Sequence, residues 1–146
     1  MIEVVGDLWT YPADIRCITT NGTIKADGRC VMGRGCALEA ARQWPTLPQI
    51  LGEHLRYKGN HVGWLYGGNV GNIVLSFPVK HEWFQKADLE LIKRSAKELM
   101  RFPAVSRGRT VVLPRPGCGN GRLTWDEVKP VLAPILGDNV FVITKG

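Results

Sequence analysis

The stretch "LPRPGCGNGRLTW", Leu113–Trp125, decides how this chain is read. The apolar run Thr110–Leu113 leads into it as the end of a strand would. Gly117, Gly119 and Gly121, with Asn120 among them, then supply a backbone able to turn sharply or to approach a ligand closely. Thr124-Trp-Asp-Glu127 closes the stretch with the Thr-x-x-Glu form of a helix start. Strand, glycine loop and helix N-terminus in that order can cradle an anion, because the first N–H groups of a helix have no partner within it. The same glycines also serve a plain strand-to-helix turn.

A second junction of this kind lies upstream. The run Asn21-Gly-Thr-Ile-Lys-Ala-Asp-Gly-Arg-Cys-Val-Met-Gly-Arg-Gly-Cys-Ala37 follows a strand-like segment and ends where a helix pattern begins. Gly33 and Gly35 would let backbone N–H groups near a bulky anion, and a helix starting near Cys36 would add its positive end. Two such loops suit a diphosphate. Neither is a Walker A sequence, since no Gly-Lys-Ser/Thr follows, and neither fits G-x-G-x-x-G with a later acid.

Around these loops, short apolar runs recur at Ile2–Val5, Ile15–Thr19, Val62–Tyr66, Ile73–Phe77, Thr110–Leu113 and Val140–Thr144, as buried strands do. Helical stripes run between them, through Ala37, Ala40, Ala41 and Trp44, and through Leu89, Ile92, Ala96 and Leu99. A third helix is expected from Thr124 through Val128, Val131, Leu132 and Ile135, short or kinked because Pro130 and Pro134 interrupt it. Alternating strands and helices imply a layered α/β sheet with ligands beyond the carboxyl ends of its strands. At 146 residues the chain is expected to form one domain, residues 1–146, with a full core.

Lys and Arg number 19 against 13 Asp and Glu, and the pI is near 9.4, which favours an anionic partner. Cys17, Cys30, Cys36 and Cys118 lack metal or redox spacing, and His54, His61 and His81 lack ligand spacing, so no metal and no cofactor is expected. Free thiols and the lack of a leader or long apolar run point to a soluble, cytoplasmic protein with no membrane contact. A monomer is expected.

Five segments together resemble a known family: "GDL" at 6–8, "TTNG" at 19–22, "VMGRGCALEA" at 31–40, "FPVK" at 77–80 and "PGCGNGRLTW" at 116–125. In this order they are similar to the macro domain, an ADP-ribose-binding fold. The likeness implies a three-layer α/β/α domain with a central mixed sheet. Within the family, Lys80 in "SFPVKHEW" resembles the lysine of a branch that includes the terminal ADP-ribose protein glycohydrolase and the DNA ADP-ribosyl glycohydrolase antitoxin.

That resemblance implies roles residue by residue. Asp7, with the backbone at Leu8, would receive the adenine, and Asn21 would bond the distal ribose. Gly33, Arg34, Gly35, Cys36 and Ala37 would form the first phosphate loop; Gly117, Cys118, Gly119, Asn120, Gly121, Arg122 and Leu123 would form the second. Lys80 would be catalytic. The protein-directed relative has an aspartate where this chain has Gly121, whereas the DNA-directed antitoxin has glycine, so the likeness leans toward thymidine-linked ADP-ribose on DNA as substrate. Residues Gly22–Arg29 are extra relative to the family pattern and are expected to reshape the entrance to the site.

The residues themselves leave alternatives. Lys80 could be a solvated charge at a strand end, Asp7 a turn cap and Asn21 a turn residue. Trp83 could stack on a base or a ribose, or close the core. Cys118 reads as a packed residue, and the basic residues Lys86, Lys93, Arg94, Lys97 and Arg101 as a solvated helix face. The function expected is hydrolysis of the link between ADP-ribose and an acceptor. The alternatives are a reader module that only binds ADP-ribose, and a phosphatase acting on ADP-ribose 1″-phosphate.

Overall fold

The structure is a computed structural model that describes residues 1–68 and 72–146. Its elements follow in the order β1 (Ile2–Val5), β2 (Ile15–Thr20), α1 (Cys36–Gln43), α2 (Leu47–Lys58), β3 (Gly63–Tyr66), β4 (Ile73–Pro78), α3 (Leu89–Arg101), α4 (Pro103–Ser106), β5 (Val111–Pro114), α5 (Trp125–Leu132) and β6 (Val140–Thr144). Each expected strand is present to within a residue. The sheet order is β1-β6-β5-β2-β4-β3, with every neighbouring pair parallel except β3 and β4. This is the expected mixed sheet, antiparallel only at its β3 edge.

Side-chain alternation along the strands sorts the helices onto two faces. Ile15 and Cys17 of β2 pack with Ile92, Ala96 and Leu99 of α3 and with Val128 and Leu132 of α5. Ile18, of opposite parity, packs instead with Ala37 and Ala40 of α1 and with Leu47, Leu51 and Leu55 of α2. Three layers result. β4 is buried along its whole length, and Phe77 on it is fully enclosed, a side chain whose burial contributes roughly 2–3 kcal/mol.

Two helices lie outside the expected stripes, α2 and the short α4. The repeat Leu47, Leu51, Leu55 is the signal for α2, with Pro48 in its first turn where a missing N–H does no harm. The helix at Thr124 is short, as Pro130 demands, and carries the full capping box: the Thr124 hydroxyl accepts from Glu127 N–H at 3.2 Å while the Glu127 carboxylate accepts from Thr124 N–H at 2.7 Å. Those bonds hold the Glu127 carboxyl below its usual range, the Thr124 backbone N–H being the main cause.

The basic helix face is not wholly a solvated one. The Arg94 guanidinium donates to the Asn60 carbonyl and lies 3.5 Å from Glu98, so it ties α3 to the chain between α2 and β3. The extra segment Gly22–Arg29 folds as a small hairpin, closed by a bridge between Ile24 and Cys30. It lies directly on α2: a Cβ on Gly52 would come within 1.9 Å of the Gly28 carbonyl oxygen.

Candidate functional site

The order of strand connection reverses between the parallel neighbours β2 and β5. From β2 the path leads out toward β4, and from β5 it leads the other way to β6. At such a switch point the loops beyond the two carboxyl ends part and leave a crevice. A cleft of about 400 Å³ opens there, and both glycine loops line it.

The first loop rises from β2 and ends at α1. Gly33 has φ of +72° and Gly35 is the N-cap residue, so the α1 N-terminus opens toward the cleft without a side-chain cap. Asn21, almost fully buried, anchors the loop: its amide N–H donates to the Val31 carbonyl at 2.9 Å and its carbonyl accepts from Thr23 N–H at 3.0 Å. The Cys30 thiol also points at that carbonyl from 3.8 Å, so one N–H of the amide is left over. Cys36 packs its thiol against Thr19, with the Thr19 N–H and hydroxyl each 3.3 Å from Sγ. Burial pushes this thiol up, against the smaller opposing effect of the Thr19 bonds.

The second loop is knotted on itself. Leu123 N–H donates to the Gly117 carbonyl at 2.9 Å, and Arg122 N–H to the Gly119 carbonyl at 3.0 Å. Gly117 and Arg122 both have positive φ, +77° and +65°; in an arginine this conformation costs about 1–2 kcal/mol. Ala87 N–H donates to the Gly121 carbonyl at 3.0 Å, which fastens the loop to the segment after β4. Gly121 has no room for a side chain, because a Cβ there would lie 2.5 Å from the Gly117 oxygen and 2.8 Å from Ala87 Cβ.

Lys80 follows β4 and lines the same cleft. Its ammonium donates to the Trp83 carbonyl at 3.2 Å, and its own carbonyl accepts from Asn60 at 3.0 Å. Burial lowers its pKa from the ordinary 10.5, and the nearby Arg122 guanidinium lowers it further. Arg34, Arg115 and Lys145 also line the cleft, against the single acid Glu39, so an anion is favoured there. Two polar atoms on cleft residues, Thr20 Oγ1 and Arg115 Nε, are buried without a hydrogen-bond partner, as is expected of groups that a ligand would engage.

Of the residues the sequence singled out, Leu8, Asn21, Gly33 through Ala37, Lys80, Gly117, Gly119, Asn120 and Gly121 line this cleft together. Asp7, Cys118, Arg122 and Leu123 are adjacent but do not line it. The Asp7 carboxylate accepts from Trp9 N–H at 2.7 Å, which is turn-capping geometry. Cys118 is half-buried, and burial raises its thiol pKa. Sequence reasoning did not assign Thr20, Arg115, Thr144 or Lys145 to the site. Their signal is positional, each standing at or just beyond the carboxyl end of a parallel strand. His61 and His81 are exposed and paired at 2.7 Å with Glu98 and Asp88. Among the described residues no cluster of three potential metal ligands occurs, and no helix is long and apolar enough to cross a membrane.

No protein-family model matches the chain. Over 104 residues, 68% of this chain, it is 30% identical to a DNA ADP-ribosyl glycohydrolase of Thermus aquaticus and 26% identical to one of Mycobacterium tuberculosis. The chain spans only about 30% of the length of these relatives. Among solved structures it is similar to the macrodomain of Thermus aquaticus DarG, with a TM-score of 0.80 and 27% identity over 99% of this chain and 97% of that one. The macrodomain of Mycobacterium tuberculosis DarG gives 0.79 and 25%, covering 97% and 95%. Thermosipho africanus DarTG, solved in complex with ADP-ribose, shares the fold at a TM-score of 0.79 and 20% identity, over 99% of this chain and 41% of that one. The chain is a macro domain. Within that family it stands close to the DarG branch.

Proposed function

We propose that this chain binds ADP-ribose across the cleft and hydrolyses the bond between its distal ribose and an acceptor, with thymidine-linked ADP-ribose on DNA as the substrate. The observation that carries the reading is the position of Lys80. A lysine of lowered pKa lines the same cleft as two glycine loops that suit a diphosphate. The names of the relatives, DNA ADP-ribosyl glycohydrolase, support DNA as the acceptor, and thymidine within it rests on the family resemblance.

In this reading the α1 N-terminus and the Gly117–Leu123 loop hold the two phosphates, Asp7 and Leu8 border the adenine, and Asn21 offers its remaining N–H to the distal ribose. Lys80 faces the anomeric carbon. As an ammonium it stabilises the negative charge that develops on the departing base. As a free amine it attacks the anomeric carbon, the glycosidic bond breaking as the new C–N bond forms and the amine's proton passing to the departing base. Opening of the ribose ring then gives the Schiff base that borohydride reduces. Water later releases the ribose. We also assign the protein to the cytoplasm as a monomer, in keeping with its four free thiols, of which Cys30 is pushed up to about 12 by burial.

The experiment compares wild type with Lys80→Ala on a thymidine-ADP-ribosylated oligonucleotide, ADP-ribosylated protein and ADP-ribose 1″-phosphate, with calorimetry on free ADP-ribose alongside. Lys80→Ala should still bind ADP-ribose and lose about 10²–10³ in kcat on the oligonucleotide. Borohydride added during turnover distinguishes the two roles, since only the attacking amine leaves a trapped adduct on Lys80. If the ammonium acts, activity falls as pH rises through the lysine's pKa, and that limb lies below 10.5. Normal turnover by Lys80→Ala would remove both roles.

A reader module is the second reading. The sealed backbone at Gly121 favours it, since that loop contributes no acid or base. ADP-ribose binding without turnover of any of the three substrates would establish it.

A further inference from the structure

The segment after Lys80 exposes two large aromatic rings side by side. Trp83 is 54% exposed and Phe84 62%. Their rings meet edge to face at 5.8 Å and 88°. Trp83 therefore does not close the core, and it lines the mouth of the cleft alongside Lys80.

The backbone that carries these rings is held, although the rings face water. Trp83 N–H donates to the Thr23 hydroxyl at 2.9 Å, and that hydroxyl donates in turn to the Glu82 carboxylate at 2.7 Å. Glu82 N–H donates to the Gln85 side chain at 3.0 Å, Gly22 N–H to the His81 carbonyl at 3.2 Å, and His81 pairs with Asp88 at 2.7 Å. The extra hairpin thus grips the aromatic segment from one side and α3 from the other. A Cβ on Gly22 would reach 2.6 Å from the His81 oxygen, so the grip is close. With its backbone already fixed, such an aromatic surface needs less ordering when a flat partner lands on it.

Two cations flank this surface, while the neighbouring carboxylates of Glu82 and Asp88 are engaged by the Thr23 hydroxyl and by His81. Lys80 lies on one side with Arg122 acting on it, Lys86 stands two residues beyond Phe84, and the chain carries +6 overall. An exposed aromatic flanked by cations suits a nucleobase whose phosphates run beside it, and stacking needs no particular base.

We infer that Trp83, backed by Phe84, is a stacking platform for an unpaired nucleobase of single-stranded nucleic acid, next to the nucleotide whose ADP-ribose enters the cleft. The second clause rests on the function proposed above; the platform itself does not. Trp83 stacks on a base, and Thr23 acts as a positioning residue that aims it. An ordinary duplex keeps its bases paired and offers no face to the ring.

The test uses the whole chain and a labelled, unmodified thymidine oligonucleotide, single-stranded and as a duplex, read by fluorescence anisotropy. Wild type should prefer the single strand. Trp83→Ala should weaken that binding by about tenfold, with Trp83→Phe between the two. Phe84→Ala, outside the cleft lining, should weaken it by less. Equal binding of duplex and single strand by wild type, or undiminished binding by Trp83→Ala, would overturn the platform. Calorimetry with ADP-ribose keeps the two readings apart. If ADP-ribose fails to bind while the single strand binds through Trp83, the ADP-ribose reading falls and the platform stands. If instead Trp83→Ala raises KM only for ADP-ribosylated protein, the surface receives a peptide and the inference is wrong.

Discussion

The two glycine loops line one cleft, yet each needs glycine for a different reason. In the first, a Cβ on Gly33 would meet nothing within 4 Å, and one on Gly35 would only approach the Asn120 amide at 3.6 Å. The requirement there is conformational, φ of +72° at Gly33, and an unobstructed backbone. In the second, a Cβ on Gly121 would lie 2.5 Å from the Gly117 oxygen, and one on Gly117 would lie 2.9 Å from the Ile92 side chain of α3. The open loop is shaped for what it receives, and the closed loop is shaped by what it packs against. Both loops face the cleft, and similar letters in sequence therefore conceal an unobstructed backbone in one place and a backbone that is also packed in the other.

The largest effect expected from this contrast is at Gly121. Gly121→Ala should destabilise the fold by about 1–3 kcal/mol, because the Gly117 backbone must move, and Gly121→Asp by more. Denaturant unfolding checks the stability, and calorimetry should find ADP-ribose binding lost in the aspartate variant. Were Gly121→Asp stable and more active, the second loop would be open after all.

Gly33→Ala should cost less stability, about 1–2 kcal/mol for the left-handed φ alone, while ADP-ribose affinity falls about tenfold as the loop leaves its shape. A Gly33→Ala variant with unchanged affinity would show that this loop does not hold the ligand. The smallest effect expected is on pH dependence. Arg122→Asn keeps a residue that tolerates positive φ and removes the charge that depresses Lys80. The Lys80 pKa should rise, and the alkaline limb of a cation-dependent activity should move to higher pH. A shift to lower pH would contradict the coupling.

Much of this was legible in the chain. All six strands announced themselves because buried strands are short apolar runs between turn residues, and the helix at Thr124 because its capping box is purely local. The strands of β2 and β4 carry Asn21 and Lys80 just past their ends, so a sequence reading reaches those residues too. It did not reach Arg115, Thr144 or Lys145, whose relation to the cleft arises only when β5 and β6 are laid beside β2. Nor did it decide Trp83. An aromatic in a polar stretch reads equally as core or as contact surface, and only the exposure and the Thr23 bond separate the two.

The sequence by itself determined the layered α/β architecture and the two glycine loops, because each depends on composition and spacing within a few residues, while Lys80 stood out only through the resemblance to the macro domain. The tertiary structure decided that the loops share one cleft, that the hairpin Gly22–Arg29 grips the segment carrying Trp83, and that Gly121 is sealed. Those facts turn on which distant backbones touch. Contact between Gly28 and Gly52, or between Gly121 and Ala87, is a property of packing that no local pattern encodes.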